Sequence, residues 1–179
     1  MVREVSGIRI SGQDVADTDG RELPTVPCHP LRGDAPAMLF ERLAAVGERG
    51  GFTVGLHPMQ DSRANGDTAF GHRRIRVRDN LAPAQQVKTL AHELGHAYLH
   101  ADGATDRALA ELEAESVAFI VMSTLGIDSD EYSFGYVATW VGGDADAAES
   151  SLRASGSRIT RAAAIVLDGL ADSVDAGEE

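Results

Sequence analysis

Five consecutive residues, His92-Glu93-Leu94-Gly95-His96, hold the side chains of this sequence best suited to chemistry. Two histidines four positions apart on a helix project from one face, about a turn apart. Two imidazole nitrogens so placed can meet one zinc ion at ~2.0–2.1 Å. Glu93, one step round from His92, chelates poorly from there but can reach a water beside the ion. Zinc lowers the pKa of such a water towards ~7; a carboxylate can take its proton and later return it to a leaving amine. The pattern predicts Zn2+-dependent hydrolysis of a peptide bond, with His92 and His96 as metal ligands and Glu93 as general base. The bland reading is a chance pentapeptide on a solvated helix. Against it, the motif sits in the middle of an amphipathic helix. It is also followed by a second helix with carboxylates on its apolar flank, where charge is costly unless it serves a purpose. Gly95 costs about 1 kcal/mol of helix stability relative to Ala, and a small residue there admits close packing or substrate.

A catalytic zinc needs a third protein ligand and an open fourth position. The second helix offers Glu111, Glu113 and Glu115. At ~100° per residue, Ala114, Val117, Ala118, Val121 and Leu125 mark its buried side. Glu111 and Glu115 flank that side, whereas Glu113 points the other way and is expected in solvent. Glu111 and Glu115 are therefore the candidates, one as ligand and the other hydrogen-bonded to a histidine. The wheel does not rank them.

The elements that must position these groups can be read from periodicity and breakers. Residues 1–36 are extended and irregular, with a short strand at Gly7–Ile10 and turns marked by Asp-Gly and X-Pro steps. Pro36 opens a helix carrying Met38, Leu39, Leu43 and Val46 at helical spacing, and Gly50-Gly51 closes it. Phe52–Leu56 alternates like a strand, and residues 57–68 look like a loop. Ala69 to Arg78 reads as a hairpin with its turn near Gly71-His72. Pro83 suits a first helical turn. Val87, Leu90, Ala91, Leu94, Ala97 and Tyr98 then form one stripe along the motif helix, which breaks at Ala101-Asp102-Gly103. The second helix runs from about Asp106 to Leu125, stopped by Gly126. Tyr132–Val141, 144–154 and 157–170 read as three further helices. Ile159, Ala162, Ala163, Val166 and Leu170 form a core stripe, and 173–179 is a flexible acidic tail. The result is one α+β domain over residues 1–179, strands early and helices late.

Composition agrees. The chain has 179 residues, 43% hydrophobic and 25% charged, which is ordinary for one soluble globular domain. No stretch approaches the ~20 apolar residues of a membrane span. The N-terminus lacks a signal core, and a lone cysteine, Cys28, gives no disulfide framework. A cytoplasmic location is expected. The formal net charge of −12 repels phosphate backbones, so nucleic acid is a poor partner for the domain as a whole. A protein or peptide substrate is the expected partner; oligomeric state is not readable.

The stretch Val87-Lys88-Thr89-Leu90-Ala91-His92-Glu93-Leu94-Gly95-His96-Ala97-Tyr98-Leu99-His100 resembles the ImmA/IrrE-type zincins, and more closely the zincin-like C-terminal domain of ArdC-type antirestriction proteins. Glu111–Phe119, Leu125–Asp128 and Tyr132–Trp140 extend the likeness, which is strong from about residue 83 to 141. The resemblance implies a zincin-like fold, an active-site helix beneath a small sheet. It implies His92 and His96 as ligands and Glu93 as base. It also implies Glu111 as third ligand, since such families use the first acidic residue of a Glu-x-x-Ala-acidic pattern, leaving Glu115 behind a histidine. Other HExxH peptidases place a Glu ligand 19 positions after the second histidine, which would select Glu115. ArdC-type proteins carry an N-terminal domain that binds single-stranded DNA. These 179 residues leave no room for it, so no DNA-linked role is carried over.

Lesser features divide between a functional and an ordinary reading. Arg74–Arg78 is either a sheet edge that receives an extended peptide or an edge strand kept soluble by arginines. No aromatic platform accompanies those arginines, which weakens a nucleic-acid role. Tyr132 or Tyr136 can donate to an oxyanion, though packing between helices is the commoner role for such residues. His100 suits the surface or a place behind the ligands better than ligation. Cys28 in a loop and Trp140 in the core are the ordinary expectations. Two other functions compete with a zinc peptidase: a metal-loaded zincin-fold binding or regulatory module of antirestriction type with little proteolysis, and a helical interaction domain without metal.

Overall fold

A computed structural model describes residues 30–60, 64–101, 103, 105–129 and 145–175. Helix α1 (Leu39–Arg49) buries Leu39, Leu43 and Val46. Met38, expected on that stripe, stands just outside the helix with φ 60 and is 64% exposed, so the apolar face begins one residue later. Gly50 and Gly51 end the helix as expected, Gly51 at φ +81.

Strand β1 (Thr53–His57) follows. Strand β2 (Gly66–Ala69) has its first three residues inside the stretch read as a loop and its last where the hairpin was expected to begin. A short 3-10 turn at Phe70–His72 then leads into β3 (Arg74–Arg78). The sheet order is β1-β3-β2. β1 runs parallel to β3, pairing Val54 with Ile75 and Leu56 with Val77. β2 runs antiparallel to it, pairing Asp67 with Arg76 and Thr68 with Ile75. The hairpin is therefore real, but its first arm is 66–69. β3 is the central strand and not an edge, so no peptide can add to it. Its Ile75 and Val77 are fully buried against the helices. Two of its three arginines have internal partners: Arg76 pairs with Asp67 across the ladder, and Arg78 donates to the carbonyls of Ala64 and Met59.

Helix α2 (Pro83–Leu99) buries Val87, Leu90, Ala91, Leu94 and Ala97 beneath the sheet, the expected stripe. Helix α3 (Arg107–Thr124) is capped by Asp106, whose side chain accepts from the backbone N–H of Ala108 at 3.0 Å and Leu109 at 3.4 Å; this satisfies donors that a helix start leaves open. Gly126, at φ +73, stops it. The two helices read at 144–154 and 157–170 are one continuous helix, α4 (Ala145–Asp175). Ser155 and Gly156 do not break it, because a face formed by Ser155, Ile159, Ala162, Ala163, Val166 and Leu170 is buried from that point on to residue 170. The helix also takes in the start of the expected tail.

α3 packs against both α2 and α4, and α1 also packs against α2 and α4. One apolar core joins all four helices to the sheet. The described residues thus form an α+β arrangement, mostly helical, consistent with a zincin-like fold. None of their helices is long and apolar enough to cross a membrane. The expected strand at Gly7–Ile10 and helix at Tyr132–Val141 lie outside the described residues, as do Cys28 and Trp140.

Candidate metal centre

Helical spacing puts His92 and His96 on one face of α2, and their Nε2 atoms lie 3.1 Å apart. α3 crosses α2 closely enough to bring a carboxylate to both. Glu111 Oε2 is 3.4 Å from His92 Nε2 and 3.7 Å from His96 Nε2. The close crossing rests on Gly95, where a Cβ would meet Ala114 Cα at 3.0 Å and Val117 Cβ at 3.3 Å. Gly95 therefore serves packing between the helices.

Each imidazole is held from behind. Glu115 Oε2 accepts from His92 Nδ1 at 3.1 Å and from Lys88 Nζ at 2.6 Å. Glu115 and Lys88 are both buried, so neither charge is left uncompensated. His96 Nδ1 meets His100 Nδ1 at 3.0 Å, and His100 Nε2 donates to Glu113 Oε2 at 2.8 Å. Glu113 was expected in solvent, but it is fully buried. That face of α3 meets α2 and α4, and Arg158 NH1 of α4 lies 3.3 Å from Glu113 Oε1.

These contacts fix the tautomers. Carboxylates only accept, so His92 carries its proton on Nδ1 and His100 on Nε2. A neutral His100 then accepts at Nδ1, which places the His96 proton on its own Nδ1. With the Nδ1 protons so placed, the Nε2 atoms are the positions left to offer lone pairs to an ion beside the Glu111 carboxylate. Such a set suits a cation. Donors ~2.0–2.1 Å from one tetrahedral ion stand roughly 3.3 Å apart, close to the spacings observed. His92, His96 and Glu111 are the three residues among those described whose donor atoms could hold a metal ion. Without a cation the charges hold a proton on His92, which an ion must displace. Burial lowers the His92 pKa, but Glu111 and Glu115 outweigh it and hold the group at about 9. Burial opposes ionisation of Glu111 as well, yet the two histidines keep it well below the usual carboxylate range.

Glu93 lies beside this set, 5% exposed, beneath β2. Burial raises its pKa, while His92, His96 and a hydrogen bond from Thr68 pull it back. Thr68 Oγ1 donates to Glu93 Oε2 at 2.7 Å. Gly66 leaves the space above: a Cβ there would sit 2.7 Å from Glu93 Oε1 and 2.8 Å from Thr89 Cγ2.

Residues 48–132 match the family model of the IrrE N-terminal-like domain, a peptidase family. The matched stretch is similar to that domain. The match supports the ImmA/IrrE-type resemblance and suggests a metallopeptidase-type domain. Searches of curated proteins and of solved structures found no match to the chain. The matched residues include His92, Glu93, His96, Glu111 and Glu115, together with Thr68, Lys88, His100 and Glu113. α4 and its Arg158 lie beyond them.

The geometry brings together four of the expected residues, His92, His96, Glu111 and Glu115, with Glu93 alongside. Tyr132 and Tyr136, considered as oxyanion donors, lie outside the described residues. Thr68, Lys88 and the buried place of Glu113 were not anticipated. Lys88 did leave a signal, since it stands four residues before His92 on the same helix face. Thr68 left none, because its strand shows no apolar alternation.

Proposed function

We propose that this chain carries a zinc-dependent peptidase domain of the IrrE N-terminal-like type, acting on a protein or peptide. The observation that carries the reading is the convergence of His92 Nε2, His96 Nε2 and Glu111 Oε2 beside a buried Glu93. A closed structural zinc site has four protein ligands and needs no base; here three donors converge beside a carboxylate. His92, His96 and Glu111 would hold the ion, with Glu115 and Lys88 steadying His92. Bound zinc supplies Lewis acidity, polarising a carbonyl and acidifying water. Glu93 takes the proton from the attacking water and passes it to the leaving amine. Thr68 holds one carboxylate oxygen of Glu93, which limits the orientations the base can adopt. Among the described residues β2 pairs with β3 alone, and it carries Thr68. Its outer edge is therefore the place for an extended substrate to add as a strand.

The test is cleavage of a proteome-derived peptide library by the zinc-loaded protein and by Glu93→Gln. The wild type should generate new termini. Glu93→Gln should keep its zinc and its fold while losing cleavage. Undiminished cleavage by Glu93→Gln rules out this mechanism. Zinc uptake without cleavage of any peptide favours the binding or regulatory module.

A further inference from the structure

His100 and Glu113 take no part in the chemistry just described, yet both are buried. A carboxylate removed from water costs several kcal/mol unless it is paired and hydrogen-bonded. Glu113 sits at 0% exposure on α3, and His100 at 5% where α2 ends. Their contacts form one line from the metal centre to α4: His96 Nδ1 to His100 Nδ1 at 3.0 Å, His100 Nε2 to Glu113 Oε2 at 2.8 Å, and Glu113 Oε1 to Arg158 NH1 at 3.3 Å. Arg158 NH2 also donates to the carbonyl of Leu99 at 3.1 Å, one residue before His100.

We propose that His100 and Glu113 are positioning residues, a hydrogen-bonded chain that fixes the His96 ring with its Nε2 lone pair turned to the centre. This rests on the reading that His92, His96 and Glu111 hold a metal. A histidine ring can turn about χ2 and offer either nitrogen to an ion. The partner of its other nitrogen decides which one is offered. The two ligand histidines are set differently. His92 has a carboxylate directly behind it, already neutralised by Lys88. His96 has a neutral imidazole behind it, with the carboxylate one step further away. A side chain that merely joined α2 to α3 would need to fill space there but not to accept a proton from His96. The two roles therefore part on hydrogen-bond chemistry at constant packing.

The experiment measures zinc affinity by chelator competition in the full chain, for wild type, His100→Leu, His100→Gln and Glu113→Gln. Nitrogen-15 NMR of the histidine rings in the zinc-loaded protein accompanies it. His96 of the wild type should coordinate through Nε2 and show a protected Nδ1–H. His100→Leu should weaken zinc binding by roughly 10- to 100-fold and lose that protected proton. His100→Gln should recover most of both, because its amide oxygen accepts from His96 while its NH2 donates to Glu113. If His100→Leu does not fold, Glu113→Gln carries the test, with weaker binding and a shifted His96 Nδ1–H expected. An unchanged affinity in His100→Leu, or in Glu113→Gln where His100→Leu does not fold, overturns the proposal. So does coordination of His96 through Nδ1, or a His100→Gln variant as impaired as His100→Leu. A wild-type protein that takes up no zinc overturns the metal reading itself, and this proposal with it.

Discussion

Lys88 Nζ lies 2.6 Å from Glu115 Oε2, with both side chains shut away from solvent. Removing one partner of a buried ion pair strands the other charge, at a typical cost of about 3–5 kcal/mol. His92 also faces Glu115, so the lower end of that range applies. Lys88→Met should lower the unfolding free energy of the metal-free protein by about 3 kcal/mol, read by urea denaturation. A loss below about 1 kcal/mol would mean that Glu115 does not depend on this lysine.

Because Glu115 is already committed to Lys88 and His92, the third ligand should be Glu111. Glu111→Ala removes a donor and should weaken zinc binding by well over 100-fold. Glu115→Ala removes only the support behind His92 and should cost roughly 10- to 100-fold. Chelator competition orders the two, and the reverse order would transfer the ligand role to Glu115.

Thr68→Val keeps the shape of the side chain and deletes the hydrogen bond to Glu93. Zinc affinity should hold while kcat/KM falls on the order of tenfold. The sign of the pH effect follows from the contact. The Thr68 donor favours ionised Glu93 and opposes the rise caused by burial. Without it the carboxyl pKa rises further, so the acid limb of the kcat/KM profile should move to higher pH. A limb that stayed put, or moved to lower pH, would detach Thr68 from the base.

Gly156 lies inside α4, and a Cβ there would meet nothing within 4 Å. Gly156→Ala should therefore stabilise the protein by about 0.5–1 kcal/mol, seen as a higher thermal midpoint. A lower midpoint would show that the helix needs the freedom of glycine at that point.

What the sequence disclosed follows from how far its signals reach. Helical spacing is local, so His92 with His96 and Glu111 with Glu115 could be paired on their faces from position alone. Glu113 was misplaced because a wheel shows one buried side, whereas Leu112, Glu113, Ala114 and Glu115 are all buried in succession between two helices. Its partners, His100 and Arg158, come from other elements that no wheel includes. Whether a strand is central or at an edge is likewise a non-local matter. The alternating arginines of β3 read as an edge, but β1 arrives from the other side, and two of the guanidinium groups turn to carbonyls and to Asp67. β2 stayed hidden because Gly66-Asp67-Thr68-Ala69 is short and has no apolar alternation. Its strand character comes from pairing with β3.

The crossing of Gly95 over Ala114 is bare backbone against bare backbone, set when the two helices dock. His92 and His96 stand on either side of it along one helix, and Glu111 stands one turn before it on the other. The mouth that the three donors form is thus cut to width during folding, like a fixed gauge. Its spacings of 3.1 to 3.7 Å suit a small ion content with four partners. Calcium gathers six to eight oxygens at ~2.3–2.6 Å, whereas this mouth, framed by a glycine that touches none of the donors, offers two imidazole nitrogens and one carboxylate.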